Sequence, residues 1–166
     1  MSSEYVMGLD IGTTSVKACV FTLKGKLVAE VEKMNTSSYP HQGWVEQDPI
    51  EIEQASIQAI REVIEKAAIE KNELVSIGFS AAMHSLVCMD EKGSPISPAL
   101  IWADGRSYEQ AENIMKTLGN QVYSQTGTPI HPMTPFVKLV WMKETGYEPY
   151  KRAQYFMSIK EYLLQC

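Results

Sequence analysis

The chain has 166 residues, 45% of them hydrophobic, and carries 15 basic and 20 acidic side chains for a net charge of -5. That length and apolar content suit one folded domain with a substantial core, and an acidic balance without any basic block argues against nucleic acid as a partner. There is no membrane-length apolar run, Met1-Ser2-Ser3-Glu4 lacks the basic and apolar parts of a signal peptide, and Cys19, Cys88 and Cys166 are widely spaced without a CxxC pair, so a cytoplasmic protein with reduced, mostly buried thiols is expected.

Residues 5–9 read as an apolar strand that delivers Asp10, Gly12, Thr13 and Thr14 into a turn, with Lys17 just beyond. Gly12 lets backbone approach an anion, and the two threonines supply hydroxyl and amide donors, which is the chemistry of a phosphate-binding hairpin. A carboxylate beside phosphates repels them unless a cation intervenes, so Asp10 implies a hydrated Mg²⁺. An ordinary Gly/Thr β-turn is the bland alternative for this segment alone. Strands follow at 16–21 and 27–31, joined by polar turns, so the chain begins as an antiparallel meander. A P-loop or a dinucleotide fingerprint would lead into a helix instead.

Residues 35–43 lose periodicity and read as a loop. Asp48 then serves as N-cap, Pro49 as first helical residue and Glu51 as the capping-box acid of a helix reaching about Lys71, with Ile60 and Ile64 directed at the sheet. A strand at 74–79 should pair parallel to the first. Short apolar stretches follow at 86–89 and 99–102. Helices are expected at 107–118 and 135–143, stopped by Gly119 and Gly146, and the Pro- and Gly-rich segment 126–133 lies between them. A strand at 155–159 and the opening of a helix at 160–165 complete the pattern.

Three segments place unusual polar groups beside apolar platforms: Met83-His84, Trp102-Ala103-Asp104-Gly105-Arg106 and His131-Pro132-Met133. Sugar recognition needs such a mixture, since an indole or thioether packs on C–H faces while carboxylate, imidazole and guanidinium groups bond hydroxyls. Taken singly, each segment is more simply read as structural: His84 as a satisfied core histidine, Trp102 as core packing, Asp104 and Arg106 as an incidental surface pair on a turn.

The strand-hairpin-strand opening resembles the phosphate-1 motif of the actin, hexokinase and heat-shock-70 ATPase superfamily, which implies an α/β fold with a ribonuclease-H-like mixed sheet flanked by helices. Four motifs in order sharpen this. Asp10 to Lys17, Gly43-Trp44-Val45-Glu46-Gln47-Asp48-Pro49, Met83-His84 and Trp102 to Arg106 together resemble the FGGY carbohydrate kinases. Ser80-Ala81-Ala82-Met83-His84-Ser85-Leu86 and residues 126–133 are most similar to the gluconate kinases of that family.

The resemblance implies ATP-dependent phosphorylation of a sugar or sugar acid, with gluconate giving 6-phosphogluconate. Asp10 would act through Mg²⁺ and water, Gly12, Thr13 and Thr14 would hold the ATP phosphates, and Lys17 would neutralise developing charge. Met83, His84, Trp102, Asp104, Arg106, His131 and Met133 would line the acceptor site. It further implies that residues 1–166 form the first part of the first actin-like domain. The catalytic aspartate, the rest of that domain and a second domain are then missing, so the fragment itself should be inactive and able to self-associate through uncovered apolar surface. A xylulose-type or other FGGY sugar kinase, an actin- or heat-shock-70-like ATPase switch, and a non-catalytic sugar sensor remain open at this point.

Overall fold

The computed structural model describes residues 4–166, apart from the side chain of Asn120; the N-terminal reading of Met1 to Ser3 falls outside the described residues. In chain order the elements are β1 (Tyr5–Ile11), β2 (Ser15–Thr22), β3 (Leu27–Met34), β4 (Glu46–Gln47), α1 (Pro49–Ala67), a 3-10 turn (Lys71–Glu73), β5 (Leu74–Ala81), β6 (Val87–Met89), β7 (Ala99–Leu100), α2 (Tyr108–Thr126), α3 (Pro135–Thr145), α4 (Glu148–Arg152), β8 (Tyr155–Met157) and α5 (Ile159–Gln165). They fall into two compact units, one made of residues up to 36 with 48–82 and Cys166, the other of residues 37–47 with 83–165.

The first unit is a four-stranded sheet ordered β3-β2-β1-β5. The first three strands form the expected antiparallel meander, and β5 runs parallel to β1 with Asp10 level with Ser80. Met7, Leu9 and Ile11 of β1 and Val16, Ala18 and Val20 of β2 are all buried. Period-two alternation therefore puts one apolar face inward, where each fully buried Val or Leu contributes about 1.5–3 kcal/mol. Helix α1 makes its contacts with β1, β2 and β3. Asp48 caps it by accepting from Ile50 N at 2.8 Å.

The helix is shorter than expected and turned relative to expectation. It ends at Ala67 instead of near Lys71, because Ala68 takes a left-handed conformation at φ 52° and its N–H bonds back to Glu65 O and Ile64 O. Its buried stripe is Ile52, Ser56, Ala59 and Val63; Ile60 and Ile64 are half-buried, and Ile50 and Ile57 are exposed. Small residues let the helix approach closely, and the Ser56 hydroxyl is satisfied by Ile52 O at 2.7 Å. Two lysine contacts tie the helix to β3, Lys33 to Glu62 at 2.7 Å and Lys66 to Glu30 O at 2.9 Å.

The second unit holds two short antiparallel pairs, β4 with β7 and β6 with β8. Leu86, Cys88, Leu100, Trp141 and Met142 form its main core, with Trp44 and Tyr147 packed against them. Ala111, Ile130 and Val137 make a smaller cluster. Gly119, at φ 45° and ψ -132°, breaks the helical path as expected; what the sequence did not suggest is a second helical stretch beyond it, counted within α2, which runs to Thr126 and ends on the left-handed Gly127. Gly146 ends α3, two residues later than expected, with φ 65°. Strand β7 stops at Leu100 and β8 at Met157, both shorter than the sequence suggests, and the five-residue α4 has no counterpart in the expectation. All three cysteines are free thiols, but Cys166 is exposed, against the expectation of burial for most of them.

Candidate functional site

In the first unit the hairpin after β1 is built by backbone. Gly12 N donates to Ser15 O at 2.9 Å, and a Cβ on Gly12 would sit 3.0 Å from that same oxygen, so a side chain here would force the turn to shift. Asn35, just past β3, pins the turn twice: its N donates to Thr14 O at 2.8 Å and its Nδ2 to Gly12 O at 2.8 Å. Asn35 opens a segment without periodicity, so its role follows from cross-strand placement alone.

Register then aligns one row across the sheet. Asp10 pairs with Lys17 and with Ser80, and Lys17 pairs with Glu32. All four are exposed. Lys17 Nζ lies 3.9 Å from Glu32, while Asp10 enters no ion pair among the described residues. In the adjacent row Cys19 faces Gly8, and Gly8 faces Gly78. A Cβ on Gly8 would meet nothing within 4 Å and one on Gly78 only Met7 O at 3.9 Å, so the missing side chains leave an open depression of about 370 Å³ bounded by Asp10, Lys17, Cys19, Phe21 and Ser80. Thr13 is half-buried and Thr14 exposed at the hairpin tip. The set offers one solvent-facing carboxylate, one ammonium, hydroxyls and turn amides around a side-chain-free floor. It fits a phosphate chain with a water-shelled cation, since one carboxylate is too few ligands for a dry metal cage, and no cluster of three metal-binding side chains occurs among the described residues.

In the second unit the three polar segments meet. The Lys138 ammonium, wholly buried on α3, donates to His84 O at 2.8 Å, Ile101 O at 2.8 Å and Met133 O at 2.7 Å. Around this point Met83 is 73% exposed and Trp102 50%, which leaves a thioether and an indole facing solvent. His84 is half-buried and sits at φ 68°, a left-handed conformation uncommon outside glycine. It also borders a cavity of about 250 Å³ whose other walls, among them Val122, Ile130, Pro135 and Phe136, are largely apolar. His131 is exposed and its Nδ1 accepts from Met133 N at 3.1 Å, which fixes the proton of the neutral ring on Nε2.

Asp104 and Arg106 have a different placement from the one the sequence suggests. Both side chains are entirely out of contact with solvent. Arg106 Nε lies 2.8 Å and 3.0 Å from the two Asp104 oxygens, and Nη2 donates to Asp104 at 2.9 Å and to Glu46 at 2.7 Å. The guanidinium lies 3.8 Å from the Trp44 ring centroid and 5.2 Å from that of Trp141. Asp104 also accepts from Val45 N at 2.7 Å, and Gly105 N donates to Gly43 O at 2.8 Å. The segments 43–47 and 102–106, distant in sequence, are thus joined by a buried ion cluster that holds the Trp102 turn in place. Charged groups are seldom so buried unless paired, and neither segment alone discloses the pairing.

The profile of the FGGY family of carbohydrate kinases, N-terminal domain, matches residues 5–166. The chain belongs to that family. It is 38% identical over 165 residues to a gluconokinase of Bacillus licheniformis, covering 98% of this chain and 32% of the relative. Against a xylulose kinase of Staphylococcus xylosus the identity is 33% over 161 residues, covering 96% and 33%. Among solved structures, gluconate kinase from Lactobacillus acidophilus superposes with a TM-score of 0.92 at 32% identity, covering 98% of this chain and 33% of that one. The fold is accordingly the ribonuclease-H-like sugar-kinase fold. The chain spans about a third of the length of these relatives.

Proposed function

We propose that the protein carrying this chain transfers the γ-phosphoryl group of ATP to a primary hydroxyl of gluconate. Two observations within one chain carry the proposal: an open depression with a side-chain-free floor beside Asp10 in the first unit, and, in the second, three loops that present Met83, His84, Trp102, His131 and Met133 around one buried ammonium. Within that reading Gly12, Thr13 and Thr14 hold phosphate oxygens through amides and hydroxyls, and Lys17 offsets charge developing on the transferred group. When bound, Mg²⁺ supplies positive charge to the phosphates, and Asp10 holds its water shell. His84 and His131 donate to or accept from acceptor hydroxyls, while Met83 and Trp102 pack against C–H faces. Asp104 and Arg106 shape the acceptor loop from behind instead of touching the sugar.

Gluconate is preferred to xylulose on the Ala81-Ala82-Met83-His84 and His131-Pro132-Met133 segments and on the higher identity to gluconokinases. The loop cluster disfavours a bare ATPase switch, which needs no acceptor site. The remaining two thirds of the protein is proposed to supply the general base and the second wall of the cleft, so the 166 residues alone should not turn over. No helix among the described residues is long and apolar enough to cross a membrane, in keeping with a cytoplasmic enzyme. Val75, Ile77 and Phe79 on the edge strand β5 are exposed, which gives the isolated fragment a face for self-association.

The test is ADP release by the full-length protein with gluconate, xylulose and glycerol in turn. The highest specificity constant should belong to gluconate. A clear preference for a ketose would keep a kinase and overturn the acceptor; ATP turnover indifferent to all three would overturn the kinase.

A further inference from the structure

A lysine with no solvent exposure and no carboxylate bonded to it is costly, because an ammonium leaving water gives up far more than a methionine of similar length would. Lys138 is such a residue, and its three N–H groups meet three backbone carbonyls at 2.7 to 2.8 Å, with none left over. Those carbonyls lie on three separate loops. One is His84 itself, one is Ile101 immediately before Trp102, and one is Met133, so each belongs to or adjoins a side chain assigned to the acceptor. The His84 carbonyl follows a left-handed backbone at φ 68°, a geometry that persists only when its surroundings hold it. Loops converging without such a clamp would leave three inward-facing carbonyls unsatisfied.

We propose that Lys138 is a positioning residue that locks the Met83-His84, Trp102 and His131–Met133 loops into one geometry and thereby sets acceptor affinity without touching the acceptor. The proposal rests on the acceptor reading given above. An apolar residue would fill the space on α3 but could not gather three carbonyls at one atom, which accounts for the retained charge. The surrounding charges balance it: Arg106 lies between Asp104 and Glu46, leaving a single negative charge that Lys138 offsets. Burial pushes its pKa down to about 8, with attraction to Asp104 opposing and repulsion from Arg106 adding to that shift. Loss of the proton removes one donor of three, so one carbonyl is released above about pH 8. The other titratable groups on the converging loops are His84, Asp104, Arg106 and His131, and all four are retained in a Lys138 variant, which serves as their control.

The experiment compares the full-length wild type with Lys138→Met, measuring acceptor KM and ATP KM from pH 7 to 9.5. Lys138→Met should raise the gluconate KM by about tenfold or more and leave the ATP KM within about twofold, as expected for a group acting through the loops it orients. The wild-type gluconate KM should climb above pH 8, and that limb should be missing in the variant. An unchanged gluconate KM in Lys138→Met, or an equal rise in both KM values, overturns the role of the lysine. If Lys138→Met does not fold, the wild-type profile decides: a climb in gluconate KM above pH 8 at constant ATP KM supports the clamp, and a flat profile overturns it. A wild-type protein that phosphorylates neither gluconate, xylulose nor glycerol overturns the acceptor reading first and this role with it, which separates the two failures.

Discussion

The hairpin region and the loop cluster present polar groups by opposite means. Around Asp10 the polar side chains stand exposed on a sheet, aligned by register, and the floor between them is empty because Gly8 and Gly78 carry no side chains. Around His84 the exposed side chains are few, and the charged ones, Asp104, Arg106 and Lys138, are buried beneath them and bonded to backbone or to each other. A sheet face needs no further support because its backbone is already tied by the ladder. Converging loops have no ladder, so buried charge takes its place. Substitutions should therefore separate function from stability in the first region and couple them in the second.

The largest separation is expected at Asp10. In the full-length protein Asp10→Asn should lower turnover by about a thousandfold or more, while the thermal midpoint moves by no more than about 1 °C, since the residue is exposed and its carboxylate enters no ion pair among the described residues. Parallel assays of ADP release and thermal unfolding check this. A matching fall in stability would return the hairpin to an ordinary structural turn.

The opposite behaviour is expected at Asp104. Asp104→Ala leaves Arg106 buried with one of its two acids gone and removes the acceptor of Val45 N, so about 3–5 kcal/mol of stability should be lost in chemical denaturation. Near-normal stability together with a lost acceptor KM would instead put Asp104 on the sugar, as the sequence suggests.

These two outcomes mark what the sequence discloses. Asp10, Gly12 and the meander are legible because turn chemistry and period-two alternation are local, and Asp48 is legible as a cap for the same reason. The burial of Asp104 and Arg106 is not, because it depends on Glu46 and Trp44 some 60 residues earlier. Lys138 is hidden in the same way, since a lysine on a helix reads as a solvent-facing residue until its three carbonyl partners are known. Ala68 ending α1 breaks the rule that glycine does so, and Ser56 and Ala59 carry the buried stripe that the larger Ile60 and Ile64 suggest for themselves.

A third effect carries a sign. Lys138 has an ordinary pKa of 10.5 and a folded value of about 8, so between these values the unfolded chain holds a proton that the folded chain has released. Stability therefore rises with pH across that window. Relative to Lys138→Met, the wild type should gain up to about 3 kcal/mol from pH 8 to pH 10.5, measured by denaturant unfolding at each pH. Acceptor affinity should fall over the same range, so the two quantities move in opposite directions. A parallel decline would mean that the three carbonyls hold the proton more tightly in the fold than water holds it in the unfolded chain, and would overturn the downward direction of the shift.

The smallest effect belongs to Asn35, whose side chain gives the hairpin one hydrogen bond to Gly12 O. Asn35→Ala should cost about 1 kcal/mol and raise the ATP KM with little change in that of the acceptor. An acceptor-side change from this residue would blur the division between the two regions.

That division is tested most directly by His84→Gly in the full-length protein. Glycine accepts the φ of 68° without strain, so the substitution removes the imidazole and leaves the loop conformation accessible. Steady-state kinetics with gluconate and ATP varied separately should show the gluconate KM raised by about tenfold or more and the ATP KM unchanged. An ATP KM that rises in step with that of gluconate, or a gluconate KM that stays at the wild-type value, would contradict the assignment of the loop cluster to the acceptor.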